Sequence, residues 1–248
     1  MKLGKLPPIE DSRDLRLTSY LTTLPTPPAI FGFGGLYPDW GMLGNDRFGD
    51  CCFAGADHET MLWNKVRGGH DVLIGAADAL SDYSAVTGFD PKDPNTDQGA
   101  YVRDVLTYRK ATGMRDAAGM RHKIAAYVAL DPKNWSQLVT ASFIFGAVGI
   151  GFEFPSSAFD QFDNGEYWDV VKGDYIEGGH YVPIVGSRNS AARVTCVTWG
   201  RRQQMTKAFY QAYNDEAYAL LSEEQIRSDG KGLHGFDLSQ FKADLAAL

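Results

Sequence analysis

Cysteine is scarce in this chain: three residues among 248, of which Cys51 and Cys52 are adjacent and Cys196 stands alone. That is too few, and too poorly spaced, for a disulfide framework, and a reducing compartment fits best. Histidine is nearly as sparse, with His58, His70, His122, His180 and His234. No HExxH, no CxxC pair and no His/Cys cluster at ligand spacing appears, so neither a metal site nor a cofactor is expected. Long apolar runs are missing too; none approaches the roughly 20 residues of a membrane span. The opening "MKLGKLPPIEDSRDLRL" has no apolar h-region, so no signal peptide is expected. Lys and Arg nowhere cluster, and the net charge of −7 argues against nucleic acid or an anionic membrane as partner. There is no GxxxxGK[ST] and no GxSxG, and the glycines of "GAVGIGFEF" lie in a strand pattern rather than ahead of a helix.

What is present is ordinary globular material, 44% hydrophobic and 22% charged, long enough for a sizeable core. Residues 1–43 are rich in Pro and Gly and read as an extended arm laid over that core. A helix is expected from Asp50 or Cys51 to about Val66, ending before Gly68-Gly69. Shorter helices are expected at 72–86 and 98–112, with a turn-rich loop, "TGFDPKDPNTDQG", between them. A further helix covers "PKNWSQLVTASFIF". From Gly146 the pattern turns strand-like in "AVGIGFEF", "EYWDVV", "HYVPIVGS", "RVTCVTWG" and "EAYALLS". A short helix is expected in "QQMTKAFYQAY" and an amphipathic one in the tail "DLSQFKADLAAL", capped by Asp237 or Ser239. Helices followed by mostly antiparallel strands predict an α+β protein with two lobes. The divisions are 1–43 for the arm, 44–145 for a helical lobe and 146–248 for a β-rich lobe.

A thiol at a helix start has its thiolate stabilised by the helix dipole and by unpaired backbone N–H groups, and a nearby imidazolium adds to this. Cys51 sits at such a start, and Cys52 is turned about 100° away from it. Asp50 opposes a thiolate by its charge yet caps the helix. On these residues alone a small buried side chain is the commoner reading of a cysteine at a helix start. His180 follows two glycines, which let another segment approach closely, and it opens an apolar strand. Trp199 and Gly200 end the next strand, where the chain returns beside His180.

The order "GNDRFGDCCFAGA", "TDQGAYVRDVL", "AVGIGFEF…FDNGEYW", "GGHYVPIVG" and "VTWG" resembles the papain-like cysteine peptidases, from about Tyr37 to Leu221. The separation of 129 positions from Cys51 to His180 is close to the roughly 130–150 of papain-type enzymes. The resemblance implies a papain-like fold, a helical lobe beside an antiparallel sheet or barrel, and a peptide or protein substrate. It makes Cys51 the nucleophile, because Gly49 and Asn45 then fall at the family's glycine and oxyanion-hole positions, and it leaves Cys52 to packing. His180 becomes the general base and acid. Gln98 and Gly99 fall near the substrate-binding glycines, Gly151 near the pocket for the substrate's second residue, and Gly179 beside the base. Trp199 resembles the shield over the histidine.

Three departures from the family pattern stand out. Val197 occupies the place of the third catalytic residue, an asparagine, and one extra residue before Trp199 makes Thr198 the candidate instead. Asn45 replaces glutamine, shortening the donor's reach by ~1.3 Å. The arm is too short for the family's long inhibitory prodomain, which suggests a compact bacterial or phage-type member, cytoplasmic or virion-associated. The alternatives are a papain-fold binding or structural protein with impaired catalysis, such as a phage-particle component, and an acyl or amide transferase using the same residues.

Overall fold

A computed structural model describes residues 1–17, 26–68, 71–225 and 233. His70, His234 and the expected tail helix lie outside the described residues. The first helix, α1 (Cys51–Trp63), continues as a π-helical turn over Asn64–Gly68. Two more, α2 (Ala76–Thr87) and α3 (Val102–Ala111), pack against it. Then come α4 (Trp135–Phe145), started by Asn134 accepting from Gln137 N at 3.2 Å, and the short α5 (Ser157–Asp163) and α6 (Lys207–Tyr213).

The strands are β1 (Phe31–Gly32), β2 (Met114–Arg115), β3 (Arg121–His122), β4 (Ile124–Ala129), β5 (Val148–Pro155), β6 (Ile176–Asn189), β7 (Arg193–Thr198), β8 (Arg201–Thr206) and β9 (Asn214–Ser222). Six form an antiparallel sheet in the order β4-β9-β5-β6-β7-β8, with β1 added to β6. This sheet is buried on both sides. On one face Val182, Ile184, Ile150 and Phe152 pack against α4; on the other Tyr181, Val185, Val197 and Tyr218 pack against α1 and its neighbours. Alternate residues of β6 thus enter two separate cores, as the period of two requires. The chain is α+β with the expected two-lobe layout.

Three expectations change. "EYWDVV" is not a strand: only Trp168 is buried there, making a single bridge to Met205. "QQMT" is strand rather than helix, because a two-residue hairpin pairs β8 with β7; helix begins only at Lys207, where Thr206 Oγ1 accepts from Phe209 N. And β4, inside the expected helical lobe, pairs with β9 and ties that lobe into the sheet.

Candidate active site

Every residue of α1 is buried, polar ones included. The helix is held against β6 by close packing and one ionic cluster. Tyr181 lies over Gly55 and beneath Gly149; a Cβ at Gly149 would stand 1.8 Å from the Tyr181 hydroxyl. That hydroxyl donates to Glu59 at 3.3 Å, and Glu59 pairs with Arg109 of α3. Asp50 precedes the helix but makes no side-chain cap bond, so the expected capping role is not realised. Burial first, and the neighbouring Cys51 charge next, hold its carboxyl well above the usual range.

His180 stands on β6, opposite Phe152 of β5. Its Nε2 lies 2.8 Å from Thr198 Oγ1. Trp199 stacks on the imidazole with ring centroids 4.6 Å apart and planes 21° apart, while Phe152, Phe154 and Trp168 present their edges. The stacking follows from the β7–β8 turn. Trp199 and Gly200 have φ of +45° and +77°, the paired left-handed conformation of a tight hairpin, which turns the indole back over His180. Val197 points into the core on the other face and does not reach the ring.

His180 Nδ1 is buried with no hydrogen-bond partner, and with Nε2 taken by Thr198 it is the nitrogen left for the neighbouring Cys51 thiol. Burial opposes ionisation of Cys51, but the Cys52 thiol and the His180 imidazole together bring it well below the ordinary thiol range. Cys52 moves the other way, pushed up by burial and by the charge on Cys51. Its thiol also approaches the Ala100 carbonyl at 3.7 Å. Cys52 is thus a buried member of the same core as Cys51, and its thiol favours the charge on its neighbour.

Asn45 is buried, and its amide donates to the Phe48 carbonyl at 3.0 Å, so in this conformation it holds its own loop. Gln98 is exposed and donates to Asn95, away from the cleft. The backbone there is nonetheless fixed: Asp97 accepts from Gly49 N at 3.0 Å and from Tyr83, whose hydroxyl accepts from Gly99 N.

The cleft is filled by the arm. Lys2 N donates to the Asn45 carbonyl and Trp199 Nε1 to that of Lys2. Gly4 and Lys5 N–H groups both donate to Gly179, Ala100 N donates to Gly4, and Leu6 N donates to Ala100. Close approach demands glycine here: a Cβ at Gly99, whose φ is +76°, would fall 2.1 Å from the Gly4 carbonyl oxygen. A Cβ at Gly151 would meet Lys5 Cε at 2.2 Å. Lys5 Nζ ends between Asp215 (2.8 Å) and Glu216 (3.2 Å). Ala100, Lys5, Asp215 and Glu216 escaped the sequence reading. The adjacent acids of "YNDEAY" were a visible signal, but their partner became apparent only through the Gly151–Glu216 register of β5 and β9. Among the described residues no His/Cys/Asp/Glu group is suited to a metal ion, and no helix is long and apolar enough to cross a membrane.

The fold recurs in solved structures. No family model and no curated protein matches the sequence. The cysteine protease xylellain from Xylella fastidiosa is 17% identical, with a TM-score of 0.63 over 88% of this chain and 95% of that one. A procathepsin B from Trypanosoma congolense is 14% identical, with a TM-score of 0.57 over 90% and 86% of the two chains. A Carica candamarcensis cysteine protease, solved in complex with E-64, is 13% identical, with a TM-score of 0.52 over 79% and 99%. The chain has the papain-like fold.

Proposed function

We propose that the chain is a papain-like cysteine hydrolase acting on peptide or related amide bonds. The observation that carries this reading is the buried Cys51–His180 pair, with the thiol driven toward its thiolate and the imidazole fixed on its far side by Thr198. Cys51 Sγ attacks the carbonyl carbon. His180 Nδ1 donates its proton to the departing amine, and water, deprotonated by the same nitrogen, then cleaves the thioester. With Nε2 as the permanently protonated nitrogen, its N–H donates to Thr198 and Nδ1 remains facing the sulfur. The developing oxyanion is received by the Cys51 backbone N–H at the start of α1; Asn45 joins it only after exchanging its bond to Phe48. Substrate enters by displacing the arm.

The test is thiol reactivity. At pH 6 Cys51 of the intact chain should react with iodoacetamide faster than a model thiol once the arm is displaced, and His180→Ala should abolish the difference. Equal rates in the two chains would overturn the hydrolase reading. They would favour the alternative of a binding or structural protein on this fold, which the engagement of Asn45 with Phe48 also supports.

A further inference from the structure

The sequence scatters its basic residues, but the sheet gathers four of them. Arg188 lies near the end of β6, Arg193 begins β7, and Arg201 and Arg202 open β8, the last strand of the sheet. Two cavities of about 290 and 300 Å³ meet along this edge and share Arg188, Thr195 and Arg202. Arg201 lines the second, and so does Tyr167, whose ring centroid is 4.2 Å from the Arg193 guanidinium. Among the described residues, arginine ion pairs fall to Arg13, Arg16, Arg103, Arg109 and Arg121, and none of these four is so paired. Glu166 is the single carboxylate on either cavity wall, against three arginines. In a chain of net charge −7 such an edge inverts the sign of the local field. Two of the guanidiniums are already held: Arg201 packs 3.8 Å from the Phe162 centroid and donates to the Phe162 carbonyl, and Arg193 lies on Tyr167. The Arg202 stem lies along Gly34, where a Cβ would come within 3.4 Å of its Cδ. Planar forks fixed in this way lose little freedom on meeting a ligand, and they take carboxylates two bonds at a time. Exposed Ile30 adds an apolar contact at the rim of the first cavity. A nucleic acid would carry its dense charge beyond this short footprint, over a surface that is acidic on balance.

We propose that this arginine edge, outside the cleft, docks an acidic segment of a partner protein. Carboxylates of that segment seat on Arg188, Arg193, Arg201 and Arg202, and an apolar side chain rests on Ile30. No residue that holds the arm in the cleft lines either cavity. The proposal uses neither Cys51 nor His180 and stands apart from the cysteine-hydrolase reading.

The test is fluorescence anisotropy on the full chain with a fluorescein-labelled peptide of alternating Glu and Asp around one Leu. Its Gln/Asn counterpart and a short oligothymidylate are the comparison probes. The acidic peptide should bind saturably, and more weakly as salt is raised, whereas the neutral peptide should not bind. Arg188→Gln with Arg202→Gln should weaken binding by at least about 10-fold, two charge-assisted pairs being lost. Arg193→Gln with Arg201→Gln should do the same; if losing the Arg201–Phe162 packing unfolds that variant, the first pair, both exposed, decides alone. Lys92→Gln with Lys110→Gln removes the same charge from exposed positions on the helical lobe and should leave binding within about 2-fold. Equal weakening by the lysine and arginine pairs would assign binding to the overall field and overturn the proposal. So would failure of the parent chain to bind the acidic peptide at millimolar concentration. Oligothymidylate that binds more tightly than the peptide, and is lost in the same arginine variants, would make the edge a nucleic-acid surface and likewise overturn it.

Discussion

The least legible residue of the site is Thr198. In sequence, Val197 stands at the place where the family pattern has an asparagine, and adjacent strand residues point to opposite faces, so a shift of one exchanges a core side chain for a cleft one. The two-residue turn at Trp199-Gly200 decides the matter by pairing Thr198 with Arg201 and Val197 with Arg202. Neither residue type announces that register. Thr198→Val keeps the shape and removes the oxygen that meets His180 Nε2. The imidazole then loses its positional bond, and kcat should fall by about 10- to 100-fold, below the roughly 10²–10⁴-fold contributed by an acid–base group itself, with KM little changed. Thr198→Ser should stay close to the parent. The pH profile of kcat/KM distinguishes positioning from packing: it should shift for Val and stay in place for Ser. A Val variant with the parental profile would rule out the positioning role.

At the scale of elements, the strongly apolar strands could be read from sequence, whereas helix caps and segments defined by distant partners could not. β4 is short and rich in alanine and β8 short and mostly polar, and each exists because a neighbouring strand is in register with it. α1 could be located by its flanking glycines but not oriented, since a helix buried on all sides has no polar face to mark the outside. Its burial has a consequence at His58. The ring donates from Nε2 to the carbonyls of Trp40 and Gly41 at 3.1 and 3.0 Å. Burial lowers its pKa to about 4, against the pull of those carbonyls. The unfolded chain, with an ordinary histidine near 6.5, binds the proton first as pH falls. Stability is therefore lost between about pH 6.5 and pH 4, by about 3 kcal/mol for this one group. Urea unfolding of the parent and of His58→Gln at pH 7 and pH 4 measures it. The parent should lose about 3 kcal/mol more than the variant over that interval, and parallel losses would show that His58 contributes nothing to the acid limb.

At the scale of the molecule, the first six residues behave as an occupant of the cleft. The Pro- and Gly-rich composition announced an extended arm but not its destination, because nothing in "KLGKLPP" distinguishes a strap over a core from a segment lying in a cleft. The contacts are those a bound peptide would make, yet the tether changes their weight. A segment covalently tethered to its own site sees it at an effective concentration on the order of millimolar. Substrate concentrations that half-saturate enzymes run from about 1 μM to 1 mM, so even a weakly bound arm competes well. Its grip depends on close backbone approach at Gly4, where a Cβ would fall 1.8 Å from the Gly49 carbonyl oxygen. Gly4→Val cannot seat there without moving main chain on both sides. It touches neither Cys51 nor His180, so thiol chemistry should be intact once the arm lifts. Alkylation of Cys51 in the full chain should accelerate by at least about 10-fold, and a synthetic peptide of the parental residues 1–8 should slow it again in a saturable way. Unchanged alkylation in Gly4→Val would mean that the arm does not control access to the cysteine. Acceleration that the added peptide cannot reverse would mean that the variant had loosened the site itself.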